Sequence, residues 1–114
     1  MKVLLTILAL LIANVSYAAD RVIVKFGATW CPSCVELDKV FLDPAIDTEI
    51  KSGKMVVRHV DTDQNPDATE AYSVTRLPTV VIVDTDWKTS VEVTRFTGNI
   101  GKVKLLQLLK GLRR

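Results

Sequence analysis

The chain has 114 residues, enough for one domain and too few for two. Fifteen Lys and Arg face thirteen Asp and Glu, a net charge of +2, and no basic cluster precedes the Arg113-Arg114 tail, so nothing points to nucleic acid. Two cysteines cannot make a multi-bridge secreted scaffold, and with one histidine they fall short of the four ligands of a structural zinc site.

The first segment in chain order has the pattern of a secretory leader. Lys2 is the only charge before Asp20, Val3 to Ala13 is apolar except for Thr6, and Ser16-Tyr17-Ala18 places small residues at a cleavage site. That apolar run of eleven residues is well short of the ~20 needed to span a bilayer, so no stable membrane span is expected. The boundaries are therefore a signal peptide at 1–18 and a single domain at 19–114, exported to the periplasm or secreted. Without Lys2 the domain carries fourteen basic and thirteen acidic residues, a net charge of +1.

Arg21 to Gly27 is apolar and β-branched, the pattern of a strand buried on both faces. Trp30-Cys31-Pro32-Ser33-Cys34 follows and opens a helix. Its Val35, Leu37, Val40 and Phe41 are expected to turn inward, with Glu36, Asp38 and Lys39 outward. Asp43-Pro44 breaks and restarts the helix, with Asp43 as cap, and Gly53 stops it. Met55 to Val60 is the second strand, and Asn65-Pro66 caps a helix to about Tyr72. Val80 to Val83 is the third strand, Asp84 to Lys88 a turn, and Val91 to Phe96 the fourth strand. Gly98-Asn99 then caps a last helix whose apolar face is expected to hold Val103, Leu106 and Leu109. The order is β-α-β-α-β-β-α, an α/β fold.

The chemistry concentrates at Cys31 and Cys34. If the helix opens at the motif, Cys31 lies at its N-terminus and Cys34 one turn on, on the same face and within reach of a disulfide. Pro32 suits the first helical position, where its missing N–H is no loss. The unpaired N–H groups and positive dipole end favour the Cys31 thiolate. A static disulfide closing so short a loop would constrain the unfolded chain little. The pair is better suited to thiol–disulfide exchange, with Cys31 as the exposed nucleophile and Cys34 as the buried resolving thiol. No metal or organic cofactor is expected, and the acids at Asp61, Asp63 and Asp67 fit a solvated loop and helix start better than a cation site.

These residues resemble a thioredoxin-fold protein across nearly the whole domain. Trp30-Cys31-x-x-Cys34 resembles the family's active-site motif, and Asp63-Gln64-Asn65-Pro66 a segment of bacterial thioredoxins. Leu77-Pro78-Thr79 resembles the loop with a cis proline, and Phe96-Thr97-Gly98 the end of the final strand. The break at Phe41-Leu42-Asp43-Pro44 is further similar to the C-terminal domain of DsbD. The resemblance implies a minimal thioredoxin fold with a four-stranded mixed sheet, since only the leader occupies the place of the family's extra first strand and helix. It also implies exchange with protein thiols or disulfides, and a membrane redox partner is a candidate through the DsbD likeness. Glutathione binding does not carry over, because the Gly-Gly and acidic segment of glutaredoxins is missing around Gly98-Asn99-Ile100-Gly101.

Two positions depart from the family. Thioredoxins place a buried Asp six residues before the first cysteine, where this chain has Lys25, and a Lys on the next strand, where it has His59. An ammonium beneath the motif would favour the thiolate and a more oxidising couple; alternatively, Lys25 reaches the surface. His59 is either a proton acceptor for Cys34 or a structural strand residue. Trp30 is expected to cap the active-site surface. Leu77 and Pro78 are expected opposite the cysteines, where backbone pairs with an extended substrate, while Arg76 either selects acidic partners or is a solvated charge. Reductant and oxidant both remain open, because Lys25 and the DsbD-like break point in opposite directions. A peptide-binding module without turnover is the alternative function. Intact-mass analysis of the exported form should give a chain beginning at Ala19; a mass that retains Met1 to Ala18 overturns the leader assignment.

Overall fold

The computed structural model describes residues 20–86 and 89–113. The segment read as a leader therefore lies outside the described residues, as do Trp87 and Lys88 of the turn. The elements are β1 (Asp20–Gly27), α1 (Pro32–Phe41), α2 (Pro44–Ser52), β2 (Met55–Asp61), α3 (Pro66–Ala71), β3 (Thr79–Thr85), β4 (Ser90–Thr97) and α4 (Gly101–Gly111). They build one four-stranded sheet in the order β2-β1-β3-β4, with β1 and β2 parallel and the other neighbours antiparallel.

Period-two alternation along β1 sends residues to two different cores. Ile23 joins Leu37 and Phe41 of α1, Ile46 and Ile50 of α2, and Leu105 and Leu109 of α4 on one face. Val24 and Phe26 join Val81 and Val83 on the other, covered by Ala68 and Tyr72. The Phe26 and Tyr72 rings lie 5.4 Å apart in a tilted pair. Each fully buried Ile, Leu or Phe contributes about 1.5–3 kcal/mol relative to exposure, so these two clusters fix the sheet between its helices. β2 ends the sheet among the described residues. Its outward residues are mixed, with Val56 and Val57 exposed beside Arg58 and His59.

Two helix faces differ from the pattern expected. On α1 the buried positions are Cys34, Leu37 and Phe41, with Asp38 half-buried among them and Val35 exposed. Positions 34, 37, 38 and 41 form a single helical stripe, and Val35 stands about a quarter-turn off it. On α4 the inward residues are Leu105 and Leu109, spaced i, i+4, while Val103 is 69 % exposed. The hydrophobic content of that helix is spread widely, so composition alone does not choose the face.

The break between α1 and α2 is built by a side chain. Asp43 caps α2 by accepting a hydrogen bond from the Ala45 N–H at 2.9 Å, and Pro44 takes the first helical position. The same carboxylate pairs with Lys102 at 3.1 Å, tying α2 to the start of α4. The Ala45 N–H and then Lys102 hold the Asp43 carboxyl below its ordinary value. Gly53 follows as cap with ordinary helical angles, and the left-handed residue that completes the turn is Lys54, at φ 55°. Asn99 accepts from the Gly101 N–H at 3.0 Å and Gly101 itself has φ 82°, so the entry to α4 uses both an Asx turn and a positive-φ glycine.

A carboxyl whose pKa falls on folding stabilises the fold above its unfolded value, about 3.9 for Asp, and that contribution is lost as pH drops through the lowered value. Asp43→Ala should therefore lower the thermal midpoint at pH 7, with the gap to wild type narrowing as pH falls below about 4. A gap that is constant with pH would assign the effect to helix packing rather than to the charged cap.

Candidate active site

The central strand delivers the motif to the top of the sheet. β1 ends at Gly27, whose carbonyl accepts the Thr62 N–H at 3.0 Å, and the chain turns so that the Cys31 N–H donates to the Ala28 carbonyl at 3.2 Å. Cys31 is the N-cap of α1, with extended backbone angles, and its sulfur accepts the Cys34 N–H at 3.2 Å. This contact places sulfur on a free helix N–H, the arrangement that favours a thiolate in the reduced state. Pro32 occupies the first helical turn and is exposed. Cys31 and Cys34 form a disulfide, with Cα atoms 5.2 Å apart.

The two cysteines are almost equally covered in this state, at 5 % and 4 % exposure, so the contrast in exposure expected from sequence is missing. They differ in surroundings instead. Cys31 caps the start of the helix, while Cys34 lies against the strand end, where a Cβ added to Gly27 would stand 3.4 Å from the Cys34 Cβ. Cys34 also lines a pocket of about 200 Å³ together with Val35, Asp38, His59 and Asp61.

Across the cysteines sits the Arg76-Leu77-Pro78 loop. The Leu77–Pro78 peptide is cis, Pro78 is buried, and Leu77 packs on the cluster of Ala28, Cys31 and Cys34. The loop is held by the Thr79 hydroxyl, which donates to the Arg76 carbonyl at 2.6 Å, and by the Gly98 N–H on the Pro78 carbonyl at 2.8 Å. Arg76 is exposed. Trp30 is 66 % exposed, and its indole N–H donates to Asp63 Oδ2 at 2.8 Å, which fixes the ring beside the motif. Asp63, read in sequence as a solvated loop acid within the Asp63-Gln64-Asn65-Pro66 segment, is thus the anchor of Trp30. Among the described residues no cluster of His, Cys, Asp and Glu is arranged for a metal ion.

Lys25 takes neither simple form of the two sequence readings. It is 8 % exposed, its Nζ lies 2.6 Å from Asp38 Oδ1, and it sits 4.6 Å from the Phe41 ring centroid. The ammonium is buried and matched by a carboxylate on α1, so much of its field at a distance cancels. His59 is its register partner on β2 and faces the same pocket as Cys34. Asp38 is the residue that sequence reasoning missed. It lies four residues past Cys34, the spacing that stacks side chains on one helix face, and that spacing was the available signal.

The Thioredoxin family model matches residues 11–111, a span that starts inside the leader-like stretch and reaches the end of α4. The chain belongs to the thioredoxin family. It is 34% identical over 91 residues to a thioredoxin of Mycoplasma genitalium, covering 80% of this chain and 81% of that one. It is 29% identical over 104 residues to a thioredoxin of Mycobacterium tuberculosis, covering 86% and 84%. Among solved structures, a Thermus thermophilus thioredoxin superposes with a TM-score of 0.72 at 25% identity, over 82% of this chain and 73% of that one. A Fasciola hepatica thioredoxin gives 0.68 at 30% identity, over 94% and 91%. The described residues hold the family's minimal core, and the protein is a thiol–disulfide oxidoreductase with its redox pair at Cys31 and Cys34. Alkylation of the reduced protein near neutral pH should modify Cys31 first, since it caps the helix; faster modification of Cys34 would reverse the two roles.

Proposed function

We propose that this thioredoxin-family protein is an exported oxidoreductase of the bacterial cell envelope, exchanging disulfides with protein partners in the periplasm or outside the cell. The observation that carries the exchange mechanism is the juxtaposition of a helix-capping Cys31 with the loop of the Leu77–Pro78 cis peptide, packed on the same cluster. Support for export is the leader pattern of Met1 to Ala18. No helix among the described residues is long and apolar enough to cross a membrane.

In the reducing direction the Cys31 thiolate attacks one sulfur of a partner disulfide. A Cys31–partner bond forms, the partner's own disulfide breaks, and its second sulfur leaves as a thiolate. Cys34 then loses its proton and attacks Cys31, which closes the intramolecular disulfide and releases the partner's first sulfur. Two electrons pass to the partner. The oxidising direction is the reverse sequence. The backbone at Leu77 pairs with an extended partner segment, while Arg76, free of the core, meets acidic side chains on it. A membrane-borne dithiol or disulfide protein is the partner class that would reset the pair.

Cys34→Ser should accumulate mixed disulfides with its partners through Cys31, and Cys31→Ser should neither trap partners nor turn over. Retained binding and unchanged cellular function in Cys31→Ser would instead support a peptide-binding module. Redox titration sets the direction: a potential near −270 mV or below, about that of a reducing thioredoxin, marks a reductant, and one near −120 mV, about that of a strong oxidant, marks an oxidant.

A further inference from the structure

Resolution of the mixed disulfide needs the Cys34 thiolate, because thiolate and not thiol is the nucleophile. Cys34 is 4 % exposed, so its proton has to leave through a defined route. The space beside it is the pocket of about 200 Å³, roomy enough for a few waters. The titratable and charged groups around it come from three elements. α1 supplies Cys34 itself and Asp38, and β2 supplies His59 and Asp61; behind this lining, β1 supplies Lys25, the register partner of His59, paired with Asp38 at 2.6 Å. Among these side chains imidazole is the type that takes up and gives back a proton near neutral pH. Asp38, engaged by Lys25, contributes a fixed negative charge on the wall that faces β2.

We propose that His59 accepts the Cys34 proton through water in this pocket, and that the Lys25–Asp38 pair is the positioning element that balances the imidazolium so formed. The inference rests on the thiol–disulfide reading above. During resolution the Cys34 S–H bond breaks, its proton passes by water to the imidazole, and the Cys34–Cys31 bond forms as the Cys31–partner bond breaks. The partner sulfur leaves as a thiolate and takes its proton from solvent. In the opposite direction the imidazolium returns the proton to Cys34 as that sulfur leaves Cys31. Asp38 lies four residues beyond Cys34 and has a half-exposed side chain, so its carboxylate can be anchored by Lys25 at one oxygen and still face the pocket. Through Asp38 the ion pair borders the cysteine that must be deprotonated from within.

Stopped-flow reaction of the reduced protein with dithionitrobenzoate, an aromatic disulfide that releases a coloured thiolate, separates the two steps. The first equivalent of colour reports attack by Cys31 and the second reports resolution by Cys34. The expected result for wild type is a second phase whose rate rises with pH through the imidazole range. His59→Gln should slow the second phase about tenfold or more, within the range of general-base effects, and remove that rise, with the first phase unchanged. Asp38→Asn should move the pH midpoint of the second phase down, because the imidazolium loses its carboxylate, while Lys25→Met should move it up, because the carboxylate is no longer shared. Shifts of opposite sign are not expected of two residues that only pack. An unchanged second phase and pH profile in His59→Gln, with wild type fully active, overturns the role of His59 and leaves the oxidoreductase reading standing. Midpoints that move in the same direction in Asp38→Asn and Lys25→Met overturn the positioning role. A wild-type protein that releases no second equivalent overturns both this inference and the function it rests on.

Discussion

Burial of β1 on both faces is the constraint on which the rest of the structure depends. The strand lies between β2 and β3, and every residue from Ile23 to Gly27 is buried. One set of side chains meets α1, α2 and α4, and the alternate set meets the layer that includes α3. Because the strand is held from four directions, its C-terminal end is a fixed platform. The motif leaves that platform after Gly27, and the loop of Leu77 and Pro78 arrives beside it from the start of β3, which pairs Phe26 with Thr79. The cysteines and the cis-proline loop are thus placed by the same strand register.

A central strand with no exposed face has no ordinary place for an ammonium. Lys25 nevertheless lies there, and two contacts make it tolerable: the Asp38 carboxylate and the Phe41 ring face. A buried pair of this kind does not repay its desolvation automatically, and losing one partner costs several kcal/mol when both are fully buried. Here Asp38 is 42% exposed, so the penalty is partly relieved by solvent. The pair therefore reads better as a device for placing charge beside Cys34 than as a staple of the core. It also moves the negative charge of this site from the strand to the helix, relative to the family pattern that the motif resembles.

The remaining polar contacts divide into those that hold the frame and those that shape the rim. Arg21 forms a two-point ion pair with Asp84 and links the outer ends of β1 and β3, far from the cysteines. Arg113 reaches the buried Glu49 of α2 and fastens the end of the chain to the helical layer. Asp63 and Thr79, by contrast, set the orientation of Trp30 and of the Arg76 carbonyl at the rim where a partner would arrive. The frame is tied by long-range ion pairs, and the rim is shaped by a few directed hydrogen bonds.

Sequence alone determined the elements and the reactive pair, because both depend on local chemistry. Period-two apolar runs, Asp43-Pro44 and the Cys31-Pro32-Ser33-Cys34 spacing act over one or two turns, so they are legible without a fold. It was less able to choose faces. Val35 and Val103 are apolar and exposed, while Asp38 is charged and turned toward Lys25. These outcomes depend on which neighbour each helix packs against, and a hydrophobic pattern cannot name that neighbour. The meeting of Lys25, Asp38 and His59 was decided only by tertiary structure, for a physical reason. The three lie on β1, α1 and β2, and only the parallel register of the two strands and the docking of the helix bring Asp38 and His59 to one pocket with Cys34 and Lys25 to Asp38.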